Sequence, residues 1–196
     1  MTGGIGSGKS EASKLFEELS VPIIDLDDIA HRITKKDCLG YIEIIKYFGK
    51  KYLDTNKNII RKNLKIDIFN STKVKKKIES ILHPIILSEC KKQICKYKSE
   101  KFIVIVIPLL FEKENYLKII DESLFVDCNE DIQFKRVSDR DNLDGSLIKS
   151  IINSQLSRDQ KIKKADTIIE NNHSKALFKE EIYRYHNNLK LRIGKK

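Results

Sequence analysis

The stretch Gly3-Gly4-Ile5-Gly6-Ser7-Gly8-Lys9-Ser10 constrains the fold of this chain more than any other. Its spacing is a glycine, four residues, then Gly-Lys-Ser. A polyphosphate needs several N–H donors converging at close range, and side chains at most of these positions would block that approach. Glycines clear the space and accept the positive φ values that turn successive amides inward. In this pattern the lysine reaches the β- and γ-phosphates, and the serine hydroxyl is placed to hold Mg²⁺. A helix must follow at once. Ala12, Leu15, Phe16 and Leu19 recur at helical spacing among polar residues, which predicts a helix over 9–19 in register with the loop. Its N-terminus adds partial positive charge toward the phosphates. The plainer reading, a glycine-rich turn before an ordinary helix, does not account for Lys9 and Ser10.

A loop of this kind normally joins a buried parallel strand to its helix, and only Met1 and Thr2 precede Gly3. A strand of about five or six residues is expected upstream. The expectation is therefore a native chain longer than this one, or a sheet lacking a central member. Beyond the first helix, Ile23-Ile24-Asp25-Leu26-Asp27-Asp28 reads as a short buried strand ending in carboxylates, where open α/β sheets place their ligands. If the extended geometry persists, Asp25 and Asp27 share a face. One of them could activate an acceptor hydroxyl or help hold Mg²⁺. The other role open to either is capping the helix that follows.

Phe102–Ile107 is a continuous β-branched run, the mark of a parallel strand buried on both faces, and it leads into Pro108-Leu109-Leu110-Phe111-Glu112. Leu124–Asp127 and Thr167–Ile169 give further strands. They alternate with helices over 130–140, through Leu147, Ile151 and Ile152, and over 174–191. The pattern is an α/β fold with a parallel sheet flanked by helices and right-handed crossovers. The whole chain reads as a single domain: a core of residues 1–34 and 101–196, a helical lobe over about 41–100, and a lid over about 130–160. Within the lobe, Ile42, Ile45 and Phe48 mark one helix. Leu64, Ile68 and Phe69 mark a second, and Ile78, Ile81 and Leu82 a third, with no strand between them. Pro84 is expected to end the helix at His83. Arg136 and Arg140, four apart, share a helical face and could stabilise a transferring phosphoryl group. They could equally pair with Asp139 and Asp141 on a surface helix.

Composition excludes several classes. With 40% hydrophobic and 34% charged residues the chain has neither a disordered nor a low-complexity character. No apolar run is long enough to span a bilayer. Cys38, Cys90, Cys95 and Cys128 have no metal-ligand spacing and read as reduced thiols in a cytoplasmic protein. The net charge of +10 arises from 38 basic against 28 acidic residues. It suits phosphate-bearing ligands, and no aromatic-plus-basic motif points to nucleic acid. A monomer without a nucleic-acid or membrane partner is the expectation.

Taken together, the motifs resemble those of the dephospho-coenzyme A kinases, and the similarity runs from Thr2 to the final helix. It rests on Thr2 to Ser10, Ile24-Asp25-Leu26-Asp27 with Ala30-His31, Arg61…Leu64…Phe69 and His83-Pro84. It continues through Pro108 to Glu112, Gln133…Arg136…Arg140-Asp141, Gln155 and Ala165-Asp166…Asn171. The loop alone would match many ATPases; the set is far more particular. The resemblance implies transfer of the ATP γ-phosphoryl to the ribose 3′-hydroxyl of dephospho-CoA. It implies Asp27 as the base, with Lys9 and the loop residues Gly4, Ile5, Gly6, Ser7, Gly8, Ser10 and Glu11 around the nucleotide. Ser10 would hold Mg²⁺. Arg140 and Arg136 would close over the phosphates, Asn171 would lie against the adenine, and Thr2, Asp27, Arg61, His83 and Leu109 would face the acceptor.

Two residues depart from the family pattern. Glu11 stands where a small residue is usual, and its carboxylate repels bound phosphate unless it turns outward. Lys161 stands where arginine is common, keeping the charge and losing the bidentate fork. The competing readings are another small-molecule or nucleotide P-loop kinase, a nucleic-acid-linked ATPase or switch, and an inactive remnant. No strand ending hydrophobic-Asp-x-x-Gly supports a switch GTPase.

Overall fold

A computed structural model describes residues 1–141 and 144–194. In chain order the elements are β1 (Thr2–Gly3), α1 (Lys9–Glu18), β2 (Ile23–Asp25), α2 (Leu26–Ile33), α3 (Leu39–Phe48), α4 (Arg61–Asn70), α5 (Thr72–Lys96) and β3 (Val104–Val106). After a 3-10 turn at Leu110–Glu112 follow α6 (Glu114–Leu117), β4 (Leu124–Asp127), α7 (Glu130–Asp141), α8 (Gly145–Asn153), α9 (Arg158–Lys164), β5 (Thr167–Glu170) and α10 (Lys175–Ile193). They fall into two compact units, one of residues 1–24 and 97–196, the other of residues 25–96.

The first unit is built on the sheet. β4 has parallel neighbours on both sides, β1 in register Thr2 with Phe125 and β5 in register Leu124 with Thr167. β2 lies beside β3, where the Val104 N–H donates to the Pro22 carbonyl at 3.0 Å. Met1 joins the two pairs. Its nitrogen donates to the Ile105 carbonyl at 2.7 Å, and its carbonyl accepts from the Ile107 N–H at 2.9 Å, the alternation of a parallel ladder. The strand order is therefore β2-β3-β1-β4-β5. β1, extended by Met1, thus occupies the central place of the sheet between β3 and β4. It is short, but neighbours on both sides satisfy its few backbone groups.

Val104, Val106, Leu124, Val126 and Ile169 pack against Ala12, Leu15 and Phe16 of α1 and Phe178 and Ile182 of α10. Each large side chain buried there contributes about 1.5–3 kcal/mol. The helix starts are written locally. The Ser174 hydroxyl accepts from the Leu177 N–H, Asp144 accepts from the Ser146 N–H, and Ser157 and Gln160 form a capping box on α9. No helix among the described residues is long and apolar enough to cross a membrane.

The second unit is helical and packs Ile44, Tyr52, Leu64 and Ile78 together. Four sequence expectations change within residues 25–96. The extended run does not persist to Asp28; it stops at Asp25, whose carboxylate accepts from the Asp27 N–H at 2.8 Å and caps α2. Asp25 and Asp27 therefore do not share a strand face. In α3 the buried residues are Gly40, Tyr41 and Ile44, while Ile42 is exposed. That helix is apolar nearly all round, so spacing alone could not choose its inner face; a Cβ on Gly40 would meet the Ile33 carbonyl at 2.8 Å, which brings this side against α2. Pro84 lies inside α5 and does not end it. Flanking turns carry the helix past the one missing N–H donor. Finally, an isolated antiparallel bridge joins Leu53 and Ile59 where no strand was expected.

Candidate active site

In the first unit the carboxyl ends of β1, β3, β4 and β5 bring together the phosphate-type loop, the 108–112 segment, Asp127 and Asn171. Gly6 and Gly8 have φ values of 70° and 99°, the left-handed region where a side chain is strained. Gly8 is the residue before α1, and no side chain caps that helix, so its leading N–H groups face the loop. A Cβ on Gly6 would meet the Gln133 carbonyl at 2.7 Å. The glycines therefore serve close packing on α7 as well as access to an anion. The Lys9 ammonium donates to the Gly3 and Gly4 carbonyls at 2.8 and 2.9 Å. Ser10, the second residue of α1, is exposed, Glu11 is half-exposed in its first turn, and Ile5 is half-exposed on the loop. The Ser7 hydroxyl is buried and has no hydrogen-bond partner among the described residues.

Asn171 braces this loop from the end of β5. Its side chain donates from Nδ2 to the Ser7 carbonyl at 2.8 Å, and its own carbonyl accepts from Arg136 Nη2 at 3.1 Å. Only 6% of Asn171 is exposed, which leaves little surface to offer an adenine. Arg136 and Arg140 share α7 but part company. Arg136 turns to Asn171 and to the Cys128 thiol at 3.5 Å, whereas Arg140 is exposed and grips the Asp141 carboxylate at 2.6–2.7 Å. Of the lid expected over 130–160, residues 142–143 lie outside the described residues. Thr2 is buried, its hydroxyl donating to the Pro108 carbonyl at 3.3 Å, and Leu109 is half-exposed just beyond.

A cavity of about 150 Å³ opens beside Gly4 of the loop, lined among others by Gln133, Gln155, Arg158 and Lys161. Lys161 donates to the Gln155 side chain at 3.2 Å, and burial pulls its ammonium below the ordinary lysine pKa, against the nearby charges of Glu112, Glu130 and Asp127. Sequence reasoning missed the pair that holds this wall. Arg158 Nε donates to both Asp127 oxygens, at 2.8 and 3.1 Å, and Nη2 donates to Oδ2 at 2.6 Å. Asp127 is 1% exposed. The Ser157–Gln160 capping signal could have placed Arg158 at a helix start; nothing in the sequence points from there to Asp127.

In the second unit Arg61 donates to the His31 carbonyl at 3.0 Å and the Thr34 hydroxyl at 2.8 Å, both at the carboxyl end of α2. It thus holds the helix whose first turn carries Asp27. His83 is half-buried on α5.

The sequence model of one family, dephospho-CoA kinase, matches residues 1–176. A dephospho-CoA kinase of Coxiella burnetii is 37% identical over 186 residues, 95% of this chain and 93% of that one. One from Fusobacterium nucleatum is 41% identical over 172 residues, 88% of each. The solved dephospho-CoA kinase from Campylobacter jejuni superposes with a TM-score of 0.71 at 30% identity, covering 100% of this chain and 96% of that one.

Proposed function

The chain belongs to the dephospho-CoA kinase family, and on that premise we propose that it transfers the γ-phosphoryl of ATP to the ribose 3′-hydroxyl of dephospho-CoA, giving coenzyme A and ADP. The observation that carries this reading is the loop over 3–10. Left-handed Gly6 and Gly8 and the uncapped start of α1 turn backbone N–H groups to one place, with an ammonium at its edge. Such a loop holds a triphosphate tail, and phosphoryl transfer asks chiefly for positioning and charge neutralisation.

In this reading Lys9 leaves the loop carbonyls for the β- and γ-phosphates. The leading amides of α1, through Glu11, face the same oxygens. Ser10 presents an exposed hydroxyl oxygen, a hard ligand that fits Mg²⁺ held mainly by the nucleotide and water; the ion would neutralise charge on the phosphate chain. Asp27 takes the proton of the attacking hydroxyl. The helical unit of residues 25–96 offers Arg61 and His83 to the acceptor, and in the first unit Leu109 stands on the loop after β3. Thr2 supports that loop through Pro108. Arg140 exchanges Asp141 for phosphate oxygens, while Arg136 and Asn171 keep the loop in shape. All these residues belong to one chain, so a monomer suffices. The four cysteines are free thiols, which suits a reducing cytoplasm.

Purified protein with ATP, Mg²⁺ and dephospho-CoA is expected to form coenzyme A and ADP, read by chromatography. Lys9→Ala should lower turnover by about 10³-fold or more. Turnover of AMP or shikimate in place of dephospho-CoA would overturn the assignment of the acceptor.

A further inference from the structure

Asp127 is the most deeply buried carboxylate among the described residues, and among them only the Arg158 guanidinium donates to its carboxylate oxygens. A carboxylate in that position is costly to leave unpaired, because burial removes it from solvent and the charge-assisted bonds of the guanidinium offset that loss. Arg158 is the first residue of α9, so the pair fixes the start of that helix to the end of β4. Two further bonds hold the same segment. The Leu156 N–H donates to Glu112 at 3.0 Å, and Lys164 donates to the Phe111 carbonyl at 3.3 Å. One turn beyond Arg158, Lys161 lines the cavity beside Gly4, steadied by Gln155. The end of the expected lid is therefore built as a fixed wall, with its cation set in place before any ligand arrives.

We propose that Arg158 is a positioning residue for phosphoryl transfer: its fork on Asp127 fixes α9 so that Lys161 faces the cavity beside the loop, where the terminal phosphates of the nucleotide are received. This rests on the kinase reading above. The ligand chemistry is a polyphosphate chain, and Lys161 supplies a point charge that needs no lid movement to reach it. Arg158 itself touches no phosphate; it acts through Lys161.

The test is a double-mutant cycle read on binding of inorganic tripolyphosphate with Mg²⁺ by calorimetry, and separately on kcat and KM for ATP. Lys161→Met is expected to weaken tripolyphosphate binding about tenfold, and Arg158→Ala by a similar factor. The double variant should be no weaker than either single one, since both remove the same contact. Arg158→Lys, which keeps one bond to Asp127, should recover part of the binding, and circular dichroism of each variant reports whether the sheet is intact. Independent, multiplying effects of the two substitutions would overturn the proposal, as would wild-type binding by a folded Arg158→Ala protein. If Arg158→Ala fails to fold, the Arg158→Lys and Lys161→Met pair carries the same cycle, with the same two outcomes. The binding readout needs no acceptor, so failure to phosphorylate dephospho-CoA would sink the kinase reading without touching this one.

Discussion

At the scale of single residues, the structure divides labour between neighbours of like chemistry. Asp25 and Asp27 are two carboxylates two positions apart, and only one of them is engaged in capping α2. An asparagine at 25 still offers an oxygen to the Asp27 N–H, so Asp25→Asn should keep turnover within a few-fold, while Asp25→Ala should cost about 1 kcal/mol of stability. Asp27→Asn keeps shape and removes the proposed base. Its kcat should fall by about 10²–10⁴-fold with ATP affinity largely kept, measured by steady-state kinetics and nucleotide titration. Normal turnover in Asp27→Asn would assign the proton to another group. Arg136 and Arg140 divide in the same way, one bracing Asn171 and the other paired with Asp141 at the surface.

Among the elements, α5 carries the least expected feature. It runs 25 residues with Pro84 inside it, where the missing N–H and the ring against the preceding turn oppose helix. Replacing that exposed proline with alanine should stabilise the protein by about 1–3 kcal/mol, read as a higher midpoint in denaturant unfolding. A lower midpoint would mean that the helix is shaped around the proline and packs through it. The loop and α7 behave as one element in the opposite sense. Gly6 packs onto the Gln133 carbonyl, and Gln133 donates to the Cys128 carbonyl at 2.6 Å. Gly6→Ala should therefore lower both stability and nucleotide affinity, the first by at least about 1 kcal/mol.

Across the first unit, Glu122 ties the last helix to the sheet. It accepts from the hydroxyls of Thr167 and Tyr185 and pairs with Arg192. Burial pushes its pKa up, but the bonds from Arg192, Thr167 and Tyr185 outweigh that and hold it below the ordinary glutamate value. Asp166 is likewise lowered, chiefly by the Ser123 hydroxyl. A carboxyl group with a lowered folded-state pKa binds fewer protons folded than unfolded. The stability it contributes is present above the ordinary carboxylate range, near pH 4, and is lost as pH falls through the folded value. Thermal midpoints should drop steadily from pH 5 to pH 3, and Glu122→Gln should flatten that slope. An unchanged slope in Glu122→Gln would remove Glu122 from the acid response.

The loop, its helix and the buried strands at 104–106 and 124–127 were legible in the chain because each is specified within about ten consecutive residues, by glycine spacing or by apolar, β-branched runs. The tertiary structure alone decided the rest. Met1 to Gly3 serve as a central strand because β3 and β4 flank them, and α3 turns Ile44 inward because its partners lie on that side. Asp127 finds Arg158 across thirty-one positions. Pairings of that kind depend on which strand ends the sheet order brings side by side, and no local pattern of residues carries that information.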